Sequence, residues 1–279
     1  MADVDARGKV GRMKRIVKTP LTYLLLLAAA LFLVVVVPLI LPFAVNKAED
    51  ISYYFFPSAQ RAYQYGVAHF SVADPGDYDL NRAEDFFYRA AALDPHLPYV
   101  WHELARISFL HGNLPKALAQ INIQIDNEGD QTPNSYYVRG LIEGYMEDYA
   151  DSERDYAHFI QFDPHDWAGV NDYAWVLLKD HKPQEADSAI ALVLSYASNN
   201  PWLLNSDAIA LSELGSTTGA RARIDAAAVA VAKLSPGDWS YAYPGNDPAI
   251  ASQGLAAFRA AVLQNMHDIE SGKTLQAAQ

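Results

Sequence analysis

An internal repeat constrains this chain more than any other feature. Large apolar or aromatic residues recur at Val67, Trp101, Tyr136, Val170 and Leu204, at spacings of 34, 35, 34 and 34. Small residues follow four positions later, at Ser71, Ala105, Gly140, Ala174 and Ala208. A second small set (Ala83, Ala117, Ser152, Ala186, Ala220) and a second apolar set (Phe87, Ile121, Tyr156, Ile190, Ile224) keep the same spacings. A period of this length marks a supersecondary unit that buries its apolar face against copies of itself.

Within a unit, each small residue lies four positions from a large apolar one, which is one turn along a single helix face. Each unit therefore reads as two amphipathic helices. Helix-capping and turn residues separate them: Asp77, Asp79 and Asn81, then Gly112-Asn113-Leu114-Pro115, Asp148 and Asp151, His181-Lys182-Pro183, and Gly215 to Gly219. Units close on Leu93-Asp94-Pro95, Phe162-Asp163-Pro164, Asn199-Asn200-Pro201 and Leu234-Ser235-Pro236, where proline ends one helix and permits the next. The small residues have a steric purpose. Two helices cross closely only where neither carries bulk, and the large residue a turn away fills the space beside the crossing.

The period, the small positions and the Asp-Pro endings resemble the tetratricopeptide repeat family. Trp101-His102-Glu103-Leu104-Ala105 is similar to its Trp-x-x-Leu-Gly opening, with Ala for Gly. The units start near Gln64, Pro98, Pro133, Trp167 and Pro201, so the resemblance runs over 64–236. Unit one lacks the opening Trp, Arg139 and Asp207 stand where Leu is usual, and Pro133 is displaced from the end of unit two. The resemblance implies an all-α fold: an α-solenoid of about five helix-turn-helix repeats whose first helices line a concave face. It also implies partner-binding residues on that face, namely Tyr99, His102, Arg106, Phe109, Asn134, Tyr137, Asn171, Trp175, Trp202 and Asn205. Rings supply contact area and amides read a peptide backbone. The alternative for each aromatic residue, Trp175 above all, is a place in the core between repeats. The cation clamp with which some family members hold a C-terminal carboxylate is absent, which disfavours a chaperone-tail receptor. After Pro236, residues 237–245 read as a loop. A helix from Asp247-Pro248 to about Ile269 carries one apolar stripe and reads as the cap a solenoid needs. Residues 271–279 read as a frayed tail.

Ahead of the repeats, Leu21 to Val45 contains no charged residue. About 20 apolar residues span a bilayer, so 21–45 is expected to be a single transmembrane anchor in contact with lipid, with a cleaved leader as the alternative. Residues 1–20 form a basic tail, with Arg7, Lys9, Arg12, Lys14, Arg15 and Lys18 against Asp3 and Asp5. The positive flank sets the expected orientation in the cytoplasmic (inner) membrane: single-pass, N-terminus in the cytoplasm, repeat domain outside. Residues 46–63 read as a juxtamembrane connector. Its Tyr53-Tyr54-Phe55-Phe56 run fits either an interfacial aromatic belt or a helix face packed on the first repeat.

The rest of the chain carries 31 of the 33 Asp and Glu against 15 of the 21 Lys and Arg. An acidic body repels phosphate backbones, so nucleic acid is excluded as a general partner. The absence of cysteine excludes disulfides, a thiol nucleophile and a thiolate zinc site. No glycine-rich phosphate loop, His-Glu-x-x-His or Gly-x-Ser-x-Gly occurs. Asp77-Tyr78-Asp79-Leu80-Asn81 opens like a calcium loop but continues with Arg82 and Tyr88 where Gly and Glu are needed. No cofactor, metal, small-molecule substrate or enzymatic activity is therefore expected. The reading is a membrane-tethered scaffold for a protein or peptide partner, with the acidic body favouring a basic one. The alternative is a structural subunit of a larger membrane or cell-envelope complex.

Overall fold

The computed structural model describes residues 20–37, 48, 51–71 and 77–273. The chain divides into two units, Met1–Phe56 and Pro57–Gln279. In the first, α1 (Pro20–Leu31) is 12 residues long and passes into a π-helical turn, Phe32–Val36. Among the described residues no helix is long and apolar enough to cross a membrane. This overturns the expected single-pass anchor over 21–45, its lipid contact and the inner-membrane orientation built on it. Residues 38–45 of the expected span and the basic residues 1–19 lie outside the described residues, as does 274–279 of the expected tail.

The second unit holds the repeats as five helix pairs: α2 (Ala59–Phe70) with α3 (Leu80–Leu93), α4 (Val100–Leu110) with α5 (Leu114–Glu128), α6 (Asn134–Tyr145) with α7 (Tyr149–Phe162), α8 (Trp167–Lys179) with α9 (Pro183–Leu194), and α10 (Pro201–Glu213) with α11 (Thr217–Val231). Their boundaries follow local chemistry. Asn113, Asp166 and Asn200 each accept a backbone N–H of the following first turn, and Pro115 and Pro201 sit where their missing N–H costs nothing. Ala117, Ile121, Tyr156, Ala186, Ile190, Ala220 and Ile224 are completely buried, as are Ala105, Ala174 and Ala208 opposite them. Ser152 takes its place in the small set by donating its hydroxyl to Gly140 O at 2.6 Å.

Unit one departs from the expected register. Its second helix is in phase, with Ala83 and Phe87 buried, but Val67 is exposed and Ser71 lies beyond the end of α2. The crossing is made at Gly66, where an added Cβ would stand 2.7 Å from the Phe87 ring, and the apolar position one turn earlier is the buried Ala62. The cause is length. Nine residues, 71–79, connect α2 to α3, whereas three, 111–113, connect α4 to α5. The first helix therefore starts at Ala59, ahead of the expected Gln64.

The two departures from the Leu position are one device used twice. Arg139 on α6 forks onto Asp155 on α7, with Nε and Nη2 donating at 2.5 and 2.8 Å. Arg139 also reaches Glu143, four residues on, at 3.8 Å. Two units later the same pair of repeat positions holds Asp207 and Arg223, 2.6 Å apart, with the charges exchanged between the helices. Asp207 is almost completely buried, and burial pushes its carboxyl up to about 6 despite Arg223.

The segment read as a loop contains a seven-residue helix, α12 (Pro236–Ala242), fixed by a capping box between Ser235 and Asp238. The expected cap is α13 (Ala251–Ser271), which packs on α10 and α11.

Gly66→Leu should lower stability by about 1–3 kcal/mol through overpacking, whereas Val67→Ala should stay within about 0.5 kcal/mol of the parent, as an exposed site does. Thermal melts distinguish the observed register from the expected one, in which the ranking reverses. Arg223→Ala leaves the buried Asp207 carboxylate without its ion partner; because the Arg223 side chain is itself 45% exposed, the loss at neutral pH should be about 1–2 kcal/mol, below the cost of breaking a fully buried pair. Asp207→Leu with Arg223→Ala should recover most of that loss, read as the midpoint of urea unfolding.

Candidate peptide-binding groove

Along the solenoid the first helices of successive units lie side by side: α4 on α6, α6 on α8, and α8 on α10. The expected site residues belong to this row, and the structure divides them into three groups.

On α4, Tyr99 is the N-cap and holds a left-handed φ of 65°, its ring edge-on to His102 at 5.3 Å. His102 is buried, with Nδ1 3.2 Å from Ser135 Oγ on α6. Burial first, and then Arg106, lower its imidazole to about 3, so it is neutral and ties two units together. Arg106 donates Nη1 to Glu103 Oε2 at 2.7 Å and stacks on Phe70 at 4.7 Å. Its Nη2 donates to Pro244 O at 2.9 Å. Phe109 is half-buried, edge to face with Tyr145 at 4.9 Å.

The second group joins α6, α8 and α10 by hydrogen bonds. Tyr137 donates its hydroxyl to Asp172 Oδ2 at 2.7 Å. Asn171 donates Nδ2 to Asp172 Oδ1 at 3.3 Å and accepts from Ser206 Oγ at 2.9 Å. Burial pushes the Asp172 carboxyl up to about 6, with Tyr137 and Asn171 partly offsetting it. Asn134, at the start of α6, is exposed.

The third group is internal. Trp175 is buried beside Tyr145, 5.8 Å between ring centres, and its Nε1 has no hydrogen-bond partner among the described residues. Trp202 is buried, stacked on Phe258 at 5.0 Å, and donates Nε1 to Tyr243 OH at 3.0 Å. Asn205 is buried and accepts from Asn265 Nδ2 at 3.0 Å. Trp175 and Trp202 have the surroundings of the core alternative given for the aromatic residues, and Asn205, for which only the groove was expected, is buried with them beneath neighbouring helices and α13.

Sequence reasoning missed Glu103, Asp172 and Ser206, although all three occupy one repeat position, directly after His102, Asn171 and Asn205. A polar residue recurring there was the available signal. Tyr78 and the 243–246 segment were also missed, because their contacts with the groove cross most of the sequence: Tyr78 donates its hydroxyl to Gly245 O at 2.6 Å. Among the described residues no group of three or more His, Asp or Glu side chains converges to hold a metal ion.

The fold is that of a tetratricopeptide-repeat solenoid. Three solved structures are similar to it: MamA, at 15% identity and a TM-score of 0.51, covering 57% of this chain and 91% of that one; a tetratricopeptide repeat protein from Parabacteroides merdae, at 13% and 0.54, covering 80% and 90%; and the tetratricopeptide-repeat protein TTC0263 from Thermus thermophilus, at 16% and 0.51, covering 74% and 100%. No family model and no curated protein matches the sequence.

Because the folded Asp172 carboxyl titrates above its ordinary value of 3.8, the folded state binds its proton more tightly than the unfolded chain does. Its contribution to stability is present below the unfolded value and is lost as pH rises through about 6. Asp172→Asn keeps an oxygen acceptor for Tyr137 and removes that titration. The melting temperature of the variant minus that of the parent should therefore be more positive at pH 7.5 than at pH 4.5.

Proposed function

We propose that this protein is a scaffold that binds a protein or peptide partner through the inner face of its repeats. The observation that carries the reading is the hydrogen-bonded line Tyr137–Asp172–Asn171–Ser206, which runs across three successive first helices. A line of side-chain donors and acceptors at the repeat spacing is suited to a peptide backbone laid across the helices. Tyr99, Phe109 and Asn134 add ring area and an amide beside that line. His102, Trp175 and Asn205 support the face from behind. The fold shared with other tetratricopeptide-repeat proteins is compatible with this role, and the acidic body favours a partner with basic residues. Steering by that charge weakens as salt screens it beyond about 8–10 Å.

Tyr137→Phe combined with Asn171→Ala removes the polar line while leaving the rings of Tyr137, Tyr156 and Phe159 packed. Loss of two hydrogen bonds at about 0.5–1.5 kcal/mol each predicts a roughly tenfold loss of partner affinity. The measurement is recovery of cross-linked partners by parent and variant at matched helicity and melting temperature. Unchanged recovery would remove the groove as the interface and leave the subunit of a larger assembly as the reading to test.

A further inference from the structure

The four residues Tyr243-Pro244-Gly245-Asn246 leave α12 and cross the face lined by the first helices. At one end Tyr243 lies against Trp239 at 5.0 Å and takes the Trp202 Nε1–H on its hydroxyl at 3.0 Å, in unit five. At the other end two successive carbonyls are held by units one and two: Pro244 O by Arg106 Nη2 at 2.9 Å, and Gly245 O by the Tyr78 hydroxyl at 2.6 Å. Gly245 is buried with φ at 99°, a backbone that L side chains rarely adopt. A Cβ there would stand 2.8 Å from Arg106 Nη2 and 3.0 Å from the Phe70 ring. Arg106 itself is fixed on both sides, by Glu103 and by the face of Phe70.

These contacts have the form of ligand recognition. The receptor side supplies a charged donor, a hydroxyl donor and an indole N–H from three separate repeats. The segment supplies two main-chain carbonyls, one phenol and a glycine for which no other residue has room. Apart from the aromatic ring, what is held is backbone. A segment from another chain with the same backbone path would meet the same donors.

Resting on the reading of the inner face as the interface, we infer that residues 243–246 are a resident ligand of the groove. The partner segment it takes is a neutral turn of the type aromatic-Pro-Gly, bound after this strap is displaced. The strap competes at the high effective concentration of a tethered segment. An incoming peptide binds only the open fraction, and its apparent affinity is reduced by that fraction.

The probe is a fluorescein-labelled, end-capped peptide of this chain's own residues 240–248, titrated into full-length protein and followed by anisotropy. Gly245→Val ejects the strap by steric conflict, and Tyr243→Ala releases its other end without a new backbone demand. Both should retain the parent's helicity. Each opened protein should bind the peptide at least about tenfold more tightly than the parent, as expected when the competitor in cis is removed. Adding Arg106→Ala to an opened protein should abolish most of that gain, and so should replacing the peptide's glycine with alanine. Equal binding by parent and opened proteins would overturn the inference, as would no binding by either opened protein. Indifference to the glycine would overturn it as well. None of those results bears on partner recovery by the Tyr137→Phe, Asn171→Ala protein, which tests the groove independently.

Discussion

The solenoid depends on one steric constraint, repeated five times: a residue without bulk on the first helix of each pair, opposite a large side chain on the second. Gly66 meets the Phe87 ring, and Gly140 meets Tyr156 at 3.1 Å. Ala105, Ala174 and Ala208 lie equally buried beside Ile121, Ile190 and Ile224. The two ring-bearing units use glycine and the three isoleucine-bearing units use alanine, so the volume at each crossing is roughly conserved although neither residue is. Packing at this density leaves little room for alternatives. The crossings also fix the tilt of each pair, and hence bring Tyr137, Asn171 and Ser206 within hydrogen-bond reach along one face.

Much of this was legible in the sequence, and the exceptions have physical causes. Periodicity reports interactions that repeat, so the helix pairs of units two to five, their turns and the capping helix could be read from spacing alone. Unit one was misread because its longer connection moves α2 back by several residues while α3 stays in phase; Val67 and Ser71 kept the period without holding the positions. The apolar run at 21–45 has the composition of a span, but among the described residues no helix is long and apolar enough to cross a membrane, and α1 passes into a π-helical turn, a backbone feature that composition does not encode. The 236–242 helix was missed because seven residues are too few for a periodic signal, although its capping residues were visible.

The groove was legible only where it repeats. Tyr137 and Asn171 lie on first helices, the row expected from the resemblance, and the side chain that connects them, Asp172, is adjacent to Asn171 in sequence. Whether an aromatic ring lines the groove or the core depends on what covers it. For Trp202 the cover is Phe258, and for Asn205 it is Asn265, both on a helix outside the repeats. Contacts between Arg106 or Tyr78 and the 243–246 segment span well over a hundred residues and have no period to betray them.

The exchanged charge pairs carry a consequence for assembly. A repeat chain has near-identical hairpins, and during folding the second helix of one unit competes for the first helix of another. If the second helix of unit five were to dock on the first helix of unit three, Arg223 would face Arg139; the reciprocal error would bring Asp155 against Asp207. Either mistake brings like charges together at the edge of a packed crossing, where Asp155 and Asp207 are buried and Arg223 is exposed, whereas each correct pairing joins opposite charges. The two reversed salt bridges thus act as addresses, making units three and five non-interchangeable although their backbones are alike.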